Sequence, residues 1–291
     1  MTATSYSNNS SHPTTIAQAL QAATRQGLER LDAQGLLLHT LGRSPHDRAW
    51  LLSHDTDALD ADTLARFDQL CARRLDNEPM GYLTGWQEFF GLTLQVDHRV
   101  LVPRPDTETL VEWALQAVLG LQAPRMLDLG TGSGAIALAL AHARPDAAVH
   151  AVDASPDALA VAQGNARRLG LPVVFSQGSW LTGHSGTGAT YALIASNPPY
   201  IPQHDPHLAA LVHEPLQALA AGADGLDDIR AIVSQAPAHL DPGGWLLLEH
   251  GYDQAAAVRA LLQAQGFTQV QSRRDMAGIE RCSGGQWPTV K

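Results

Sequence analysis

Asn197-Pro198-Pro199-Tyr200 follows directly on the apolar run Tyr191-Ala192-Leu193-Ile194-Ala195, which puts a planar amide and an aromatic face at the carboxyl end of a predicted strand. Two consecutive prolines fix φ and donate no N–H, so the tetrapeptide is a stiff extended segment whose carbonyls stay free to accept. Asn197 adds a side-chain oxygen acceptor. Acceptors arranged in this way can hold a carboxamide or an exocyclic amine with its nitrogen aimed at an electrophile, and Tyr200 can stack on the plane of that group.

The electrophile is suggested upstream. Arg125-Met126-Leu127-Asp128-Leu129 reads as a short buried strand, Gly130-Thr131-Gly132-Ser133-Gly134 as the turn after it, and Ala135 to Ala141 as a helix. This layout brings the backbone close to a nucleotide-like ligand at the open end of a parallel sheet. A second predicted strand, Ala148 to Val152, ends on Asp153, where a carboxylate can accept both hydroxyls of a ribose. Because Gly130, Gly132 and Ala135 satisfy the relaxed G-x-G-x-x-[GA] pattern, the turn alone is compatible with a nicotinamide dinucleotide and with S-adenosylmethionine. The downstream clamp favours the second, since hydride transfer has no evident use for a grip on a planar nitrogen.

Together with Tyr82-Leu83-Thr84-Gly85, Pro103-Arg104-Pro105-Asp106-Thr107-Glu108, Glu214-Pro215-Leu216-Gln217-Ala218-Leu219 and Leu247-Leu248-Glu249-His250-Gly251, these segments resemble the class I S-adenosylmethionine-dependent methyltransferases. Within that class the chain is similar to the release-factor glutamine methyltransferases, the PrmC/HemK family, from about Thr14 to Arg281. The resemblance implies an α/β fold: a Rossmann-like class I methyltransferase domain with a small N-terminal helical bundle and a β-hairpin connector. It implies an enzyme, a protein-(glutamine-N5) methyltransferase that uses S-adenosyl-L-methionine. The acceptor would be the side-chain amide of the glutamine in the Gly-Gly-Gln motif of peptide chain release factors. Gly130, Thr131, Gly132, Ser133, Gly134, Asp153, Trp180 and Asn197 are then expected at the cofactor. Asn197, Pro198, Pro199 and Tyr200 are expected to hold the acceptor, with Asn197, Pro198 and Tyr200 catalytic. The sequence departs from the family pattern at Ser179, where an acidic residue often precedes the tryptophan, and at Val212, where arginine is common. An N6-adenine DNA methyltransferase, which shares the clamp logic, and a non-catalytic cofactor-binding scaffold on translation components are the alternatives.

With 291 residues, 45% of them hydrophobic, the chain can bury a substantial core and has room for two domains. A formal charge of -10 argues against a broad nucleic-acid footprint, because neutralising phosphates takes a basic face. The resemblance implies release factors as partners, and no direct nucleic acid, no membrane and a monomeric state are expected. No apolar run approaches the roughly 18 residues of a membrane span, and the Ser-, Thr- and Asn-rich first residues lack the pattern of a signal peptide. A cytoplasmic location is expected. Cys71 and Cys282 are far apart and without metal spacing, as suits reduced thiols. His204, His207 and His213 are read as solvated loop residues, and no metal is expected. Gly284-Gly285-Gln286 spells the acceptor tripeptide and is read as coincidence.

The elements that must position these residues follow from periodicity and caps. Four parts are expected: a disordered N-terminus (1–13), a helical substrate-binding domain (14–85), a hairpin connector (86–106) and the methyltransferase domain (107–291). In the bundle, Ile16, Ala19, Leu20 and Ala23 share a face, and Leu31, Gly35, Leu38 and Leu41 mark a second helix. Ser44-Pro45-His46-Asp47 is read as a capped start, and Asp60 caps a helix lined by Leu64, Phe67, Cys71 and Leu75. Leu92, Leu94 and Val96 alternate as a hairpin strand. Thr107 is placed as the cap of the next helix, and Arg104 and Glu108 are read either as a pair across its start or as residues of the site. From there strands and helices alternate, which means a parallel, doubly wound sheet. It ends in a helix over Leu226 to Leu240, a strand at Trp245 to Leu248, and an antiparallel pair, Val270 to Arg274 with Ile279 to Cys282.

Overall fold

The computed structural model describes residues 13–182 and 190–289, so the disorder expected over 1–13 lies, except for Pro13, outside the described residues. The chain divides into two compact units between Thr84 and Gly85.

The first unit holds α1 (Ile16–Arg25), α2 (Arg30–Thr40), α3 (Arg48–Ser53), α4 (Ala61–Leu75) and α5 (Met80–Thr84). A capping box opens α1: Thr15 Oγ1 accepts from Gln18 N, and the Gln18 side chain accepts from Thr15 N. Asp60 Oδ1 accepts from Thr63 N at 2.8 Å to start α4. Ile16, Leu36, Leu37 and Phe67 meet in one core. Two local readings are corrected. Leu31 is exposed, because α2 buries the stripe of Ala33, Leu36, Leu37 and Leu38 instead. Ser44 caps no helix: a turn closed by Asp47 N donating to Ser44 O delays the helix to Arg48.

The second unit begins with the hairpin of β1 (Trp86–Phe89) and β2 (Leu92–Gln95), whose Phe89, Leu92 and Leu94 are buried in this unit's core. There follow α6 (Glu108–Ala117), β3 (Arg125–Leu129), α7 (Ala135–Ala143), β4 (Ala148–Asp153), α8 (Pro156–Leu169), β5 (Val173–Gln177) and β6 (Tyr191–Ser196). The unit closes with α9 (Asp227–Gln235), β7 (Leu240–Glu249), α10 (Ala255–Gln265), β8 (Thr268–Arg274) and β9 (Glu280–Gln286). The seven-stranded sheet has the order β5-β4-β3-β6-β7-β9-β8. Its first five strands run parallel, and β9 is antiparallel to both neighbours.

Side chains alternate across the sheet as strand geometry requires. Met126, Leu193 and Leu247 pack with α6 and α7 on one face, and Leu127, Ile194 and Leu246 pack with α9 and α10 on the other. The helix expected to Leu240 stops at Gln235 and passes into a 3-10 turn, Ala236–His239, where Pro237 removes a helical N–H. The closing pair is longer than expected, with β9 running on through Gly284, Gly285 and Gln286. Strand order reverses at β3, which has β4 on one side and β6 on the other. A crevice opens at such a reversal, outside the carboxyl ends of the strands. The glycine turn leaves β3 and the Asn-Pro-Pro-Tyr segment leaves β6 into that crevice.

Candidate active site

A cavity of about 550 Å³ occupies the crevice, with Gly130, Gly132, Asp153, Trp180, Asn197 and Pro199 on its wall. Gly132 has φ 55°, and a Cβ placed on it would meet nothing within 4 Å, so the turn's backbone is open for a ligand to approach. Gly134 serves packing. Its Cβ would stand 3.0 Å from Leu138 Cδ1 and 3.2 Å from Ala162 Cβ, where α7 meets α8. Thr131, Ser133 and Gly134 are not on the wall. Thr131 and Ser133 are buried behind it, the first donating to Asp128 Oδ2 at 2.6 Å and the second accepting from Asn165 Nδ2 at 3.0 Å.

Asp128 also accepts from Ala137 N at 3.2 Å, while its Oδ1 has no partner among the described residues. Burial pushes its carboxyl up to about 7. Asp153 Oδ2 accepts from Gly132 N at 2.8 Å and Oδ1 from Ser155 N at 2.9 Å, which holds the carboxylate against the glycine turn. Each oxygen keeps a further lone pair. Ser155 caps α8, accepting from Ala158 N. Trp180 stands at φ 50°, its ring against Gly130, and its Nε1 donates to Asp228 Oδ1 at 3.1 Å. Asp228 and Ser179 share the same wall, and burial raises the Asp228 carboxyl. Asp228 escaped the sequence reading because an acidic residue in the first turn of a helix is favoured by the helix dipole anyway.

A second cavity, of about 310 Å³, is lined by Leu101, Arg104, Asn197, Tyr200, Ile201, Leu211, Ala218 and Leu219. Leu101, Asn197 and Ala218 belong to both walls. Asn197 thus stands between the cavities, while Pro198 is buried behind it. Asn197 Nδ2 donates to Thr107 Oγ1 at 3.3 Å. Thr107 precedes α6 as expected but makes no capping bond there, because its hydroxyl meets Asn197 instead.

Of the two readings of Arg104 and Glu108, the pair across the helix start does not form. Arg104 Nη2 pairs with the buried Glu214, whose charge requires a partner, and Glu108 Oε1 accepts from Phe90 N at 2.8 Å. Tyr200 is fixed from several sides. Its N donates to Leu219 O at 3.2 Å, its O accepts from Gln254 Nε2 at 3.0 Å, and its hydroxyl donates to Glu249 Oε1 at 3.4 Å. A Cβ on Gly225, at φ 75°, would collide with the Tyr200 carbonyl. Burial and the neighbouring Glu249 push the phenol up.

Glu249 is itself buried, with Oε2 unpartnered among the described residues and its carboxyl pushed by burial up to about 7. His250 is buried, bridging Gly251 O and Ser283 Oγ, and burial lowers its pKa. Of the loop histidines, His207 is largely exposed and pairs with Asp205 at 2.6 Å. Among the described residues no group of three or more His, Cys, Asp or Glu is placed to hold a metal ion. No helix among them is long and apolar enough to cross a membrane.

Residues 14–85 match the PrmC N-terminal domain family, and residues 106–224 match the methyltransferase small domain family. The chain is 50% identical over 284 residues to the release factor glutamine methyltransferase of Burkholderia pseudomallei, spanning 95% of this chain and 97% of that one. It is 53% identical over 261 residues to the release factor glutamine methyltransferase of Bordetella pertussis, spanning 89% and 95% respectively. Among solved structures, a methyltransferase from Pyrococcus furiosus aligns with a TM-score of 0.53 at 20% identity, covering 75% of this chain and 98% of that one, a likeness of fold.

Proposed function

The chain belongs to the release factor glutamine methyltransferase family, and from that premise we propose that it methylates the side-chain amide nitrogen of the glutamine in the Gly-Gly-Gln motif of peptide chain release factors, using S-adenosylmethionine. The observation that carries this reading is Asn197 on the common wall of two cavities, one suited to the methyl donor and one to the acceptor. The larger cavity lies within the range of about 300–1,000 Å³ usual for small ligands. The open backbone at Gly132 and the spare lone pairs of Asp153 suit a nucleoside with a free ribose diol. When bound there, S-adenosylmethionine supplies a methyl group already activated on a sulfonium.

In this reading Gly130, Gly132, Asp153 and Trp180 bind the donor, with Thr131, Ser133 and Gly134 shaping the turn behind the wall, and Asn197 to Tyr200 grip the acceptor. With Nδ2 engaged by Thr107, Asn197 Oδ1 is left to accept one N–H of the glutamine amide, and the Pro198 carbonyl accepts the other. Tyr200 stacks on the amide plane. A carboxamide nitrogen is a poor nucleophile, because its lone pair is delocalised into the carbonyl, so alignment has to supply the advantage. Near-attack positioning of this kind can be worth on the order of 7 kcal/mol. No residue is assigned as general base, and the spare proton leaves to water or a carbonyl. Residues 14–85 grip the body of the release factor, and residues 86–106 connect them to the catalytic domain. The acidic net charge of -10 argues against direct nucleic-acid binding, and the protein is read as a cytoplasmic monomer.

The test is transfer of label from S-adenosylmethionine to a release factor, to its glutamine-to-alanine variant and to an adenine-containing duplex. Label is expected only in the unmodified factor, on that glutamine. Asn197→Ala should abolish turnover while retaining cofactor affinity in calorimetry, and Asp153→Ala should weaken that affinity. Label in the duplex and not in the factor would overturn the reading in favour of a DNA enzyme.

A further inference from the structure

In sheet order, β6, β3, β4 and β5 deliver Asn197, then Gly130 and Gly132, then Asp153, then Gly178 to Trp180 to the wall of the larger cavity. A methyl donor whose sulfonium faces Asn197 and whose ribose diol meets Asp153 therefore points its base onward, to the segment that follows β5. The polar atoms at that end of the cavity decide which base fits.

Asp228 of α9 supplies one of them. It lies on the same wall, and its Oδ1 accepts from Trp180 Nε1 at 3.1 Å. Its acidic neighbours are spent elsewhere, since Asp224 Oδ1 and Asp227 Oδ1 both accept from Arg230 Nη1 at 3.0 Å. Among the described residues no cation pairs with Asp228, and none donates to its Oδ2. Arg99 and Ser179 are on the wall as well. Arg99 is engaged by Asp97, through Nε at 2.8 Å and Nη2 at 2.6 Å.

Adenine presents a donor, its amine, at C6, where a 6-oxo purine presents an acceptor. A hydroxyl both donates and accepts, so Ser179 can meet either, whereas a carboxylate only accepts. The power to discriminate therefore rests with Asp228. Trp180 adds a constraint of its own. An indole N–H only donates, so it claims one acceptor atom from whatever side chain stands in place of Asp228.

We propose that Asp228 selects a 6-amino purine base in the methyl donor, Oδ2 accepting from the amine while Trp180 holds Oδ1, an inference that rests on the donor site of the reading above. Asp228 thus brings from α9 the acid that the family resemblance implies in place of Ser179. A 6-oxo base would set its oxygen against the carboxylate, a repulsive contact of the kind that makes a site specific. Its ring hydrogen is on N1 instead, one atom away on a ring whose placement the ribose at Asp153 fixes.

The test is calorimetry of the full chain with S-adenosylhomocysteine and with S-inosylhomocysteine, which differs in carrying a 6-oxo base, beside thermal melts. The native protein should prefer the 6-amino ligand on the order of a hundredfold, less than a fully buried polar site reaches. Asp228→Asn keeps an oxygen for Trp180, which can only donate, and so turns its NH2 into the cavity. The preference should then fall at least about tenfold, the scale of one hydrogen bond to a charged group, with the 6-oxo ligand gaining affinity and the melting point close to native. Asp228→Ala should bind the 6-oxo ligand less tightly than Asp228→Asn, because it removes the repulsion without supplying a donor. Ser179→Ala should leave the preference close to native. A native protein that binds both ligands alike, a native preference in Asp228→Asn, or equal weakening of both ligands in that variant would each overturn the assignment. Failure of the native protein to bind S-adenosylhomocysteine at all would instead bring down the donor reading, and this inference with it.

Discussion

Arg104 and Glu214, 110 residues apart in the chain, form an ion pair in which the carboxylate is only 2% exposed. The second oxygen of Glu214 accepts from Val102 N at 3.1 Å. Two sequence motifs, Pro103-Arg104-Pro105 and Glu214-Pro215, are thereby tied together, with Arg104 on the wall of the smaller cavity and Pro215 on that of the larger. Glu214 is the anchor of the pair, because its charge has left water and the half-exposed guanidinium has not.

Removing the arginine should therefore cost more than neutralising the acid. Arg104→Ala strands a buried carboxylate, at about 1–3 kcal/mol, whereas Glu214→Gln keeps an acceptor for Val102 N. The double variant should be less destabilised than the sum of the singles by roughly 0.5 kcal/mol or more, the scale of coupling between contacting residues. Urea unfolding of all four proteins closes the cycle. Strict additivity would show that the pair contributes nothing to stability.

Ser179 lies on the wall of the larger cavity and brings a hydroxyl where the family resemblance implies an acid. Ser179→Asp should leave S-adenosylmethionine affinity unchanged or improve it, by at most about 1–2 kcal/mol for a charged acceptor in place of a neutral one. Asp228 on the same wall sets the opposing term, since a second carboxylate there meets like charge. Calorimetric affinities decide between them, and a large loss would mean that the serine packs where an acid has no room.

The parts of the site that were legible in the sequence are local. A glycine turn after a strand, an acid ending the next strand and a rigid Asn-Pro-Pro-Tyr segment announce themselves in consecutive residues, and the sheet delivers them to one crevice. What supports them was illegible, because it is contact at long range. Thr107 meets Asn197 across 90 residues, Tyr200 meets Glu249 across 49 and Trp180 meets Asp228 across 48. A threonine before a helix carries the signal of a cap, and only the tertiary fold shows its hydroxyl used elsewhere. The Leu-Glu-His-Gly segment was visible as a motif, but its role waits on the position of Tyr200 above Glu249.

Gly284-Gly285-Gln286 is explained by the sheet. These residues pair with Leu247, Leu246 and Trp245 at the carboxyl end of β9, and Gln286 Nε2 donates to Gly243 O at 2.8 Å. A Cβ on Gly284 would stand 2.7 Å from Leu246 O and 3.1 Å from the Trp113 ring. Gly284→Ala should destabilise the protein by about 1–3 kcal/mol, as overpacking does. Truncation after Ser283 should likewise cost stability, because it deletes these pairings, and should not lower the Michaelis constant as removal of a decoy would. Thermal melts beside steady-state kinetics separate the outcomes, and peptide mass spectra should show Gln286 unmethylated.

Asp128 yields a pH prediction whose sign is set by burial. Its folded carboxyl is raised from 3.8 to about 7, so the folded state holds a proton that the unfolded chain releases at lower pH. The stability this contributes is complete below the unfolded value, near pH 4, and is lost as pH rises through about 7. Asp128→Asn keeps an oxygen for Thr131 Oγ1 and Ala137 N, both of which now donate to Oδ2, and cannot ionise. Relative to the native protein, the variant should therefore gain stability between pH 5 and pH 8, on the order of a few kcal/mol for a shift of this size. Glu249 titrates in the same direction in both proteins and cancels in the comparison. Urea unfolding at the two pH values, without cofactor, reads the difference directly. A gap that stays constant, or that widens in favour of the aspartate at pH 8, would show that Asp128 is ionised in the fold and that its unpartnered oxygen meets compensation from another source.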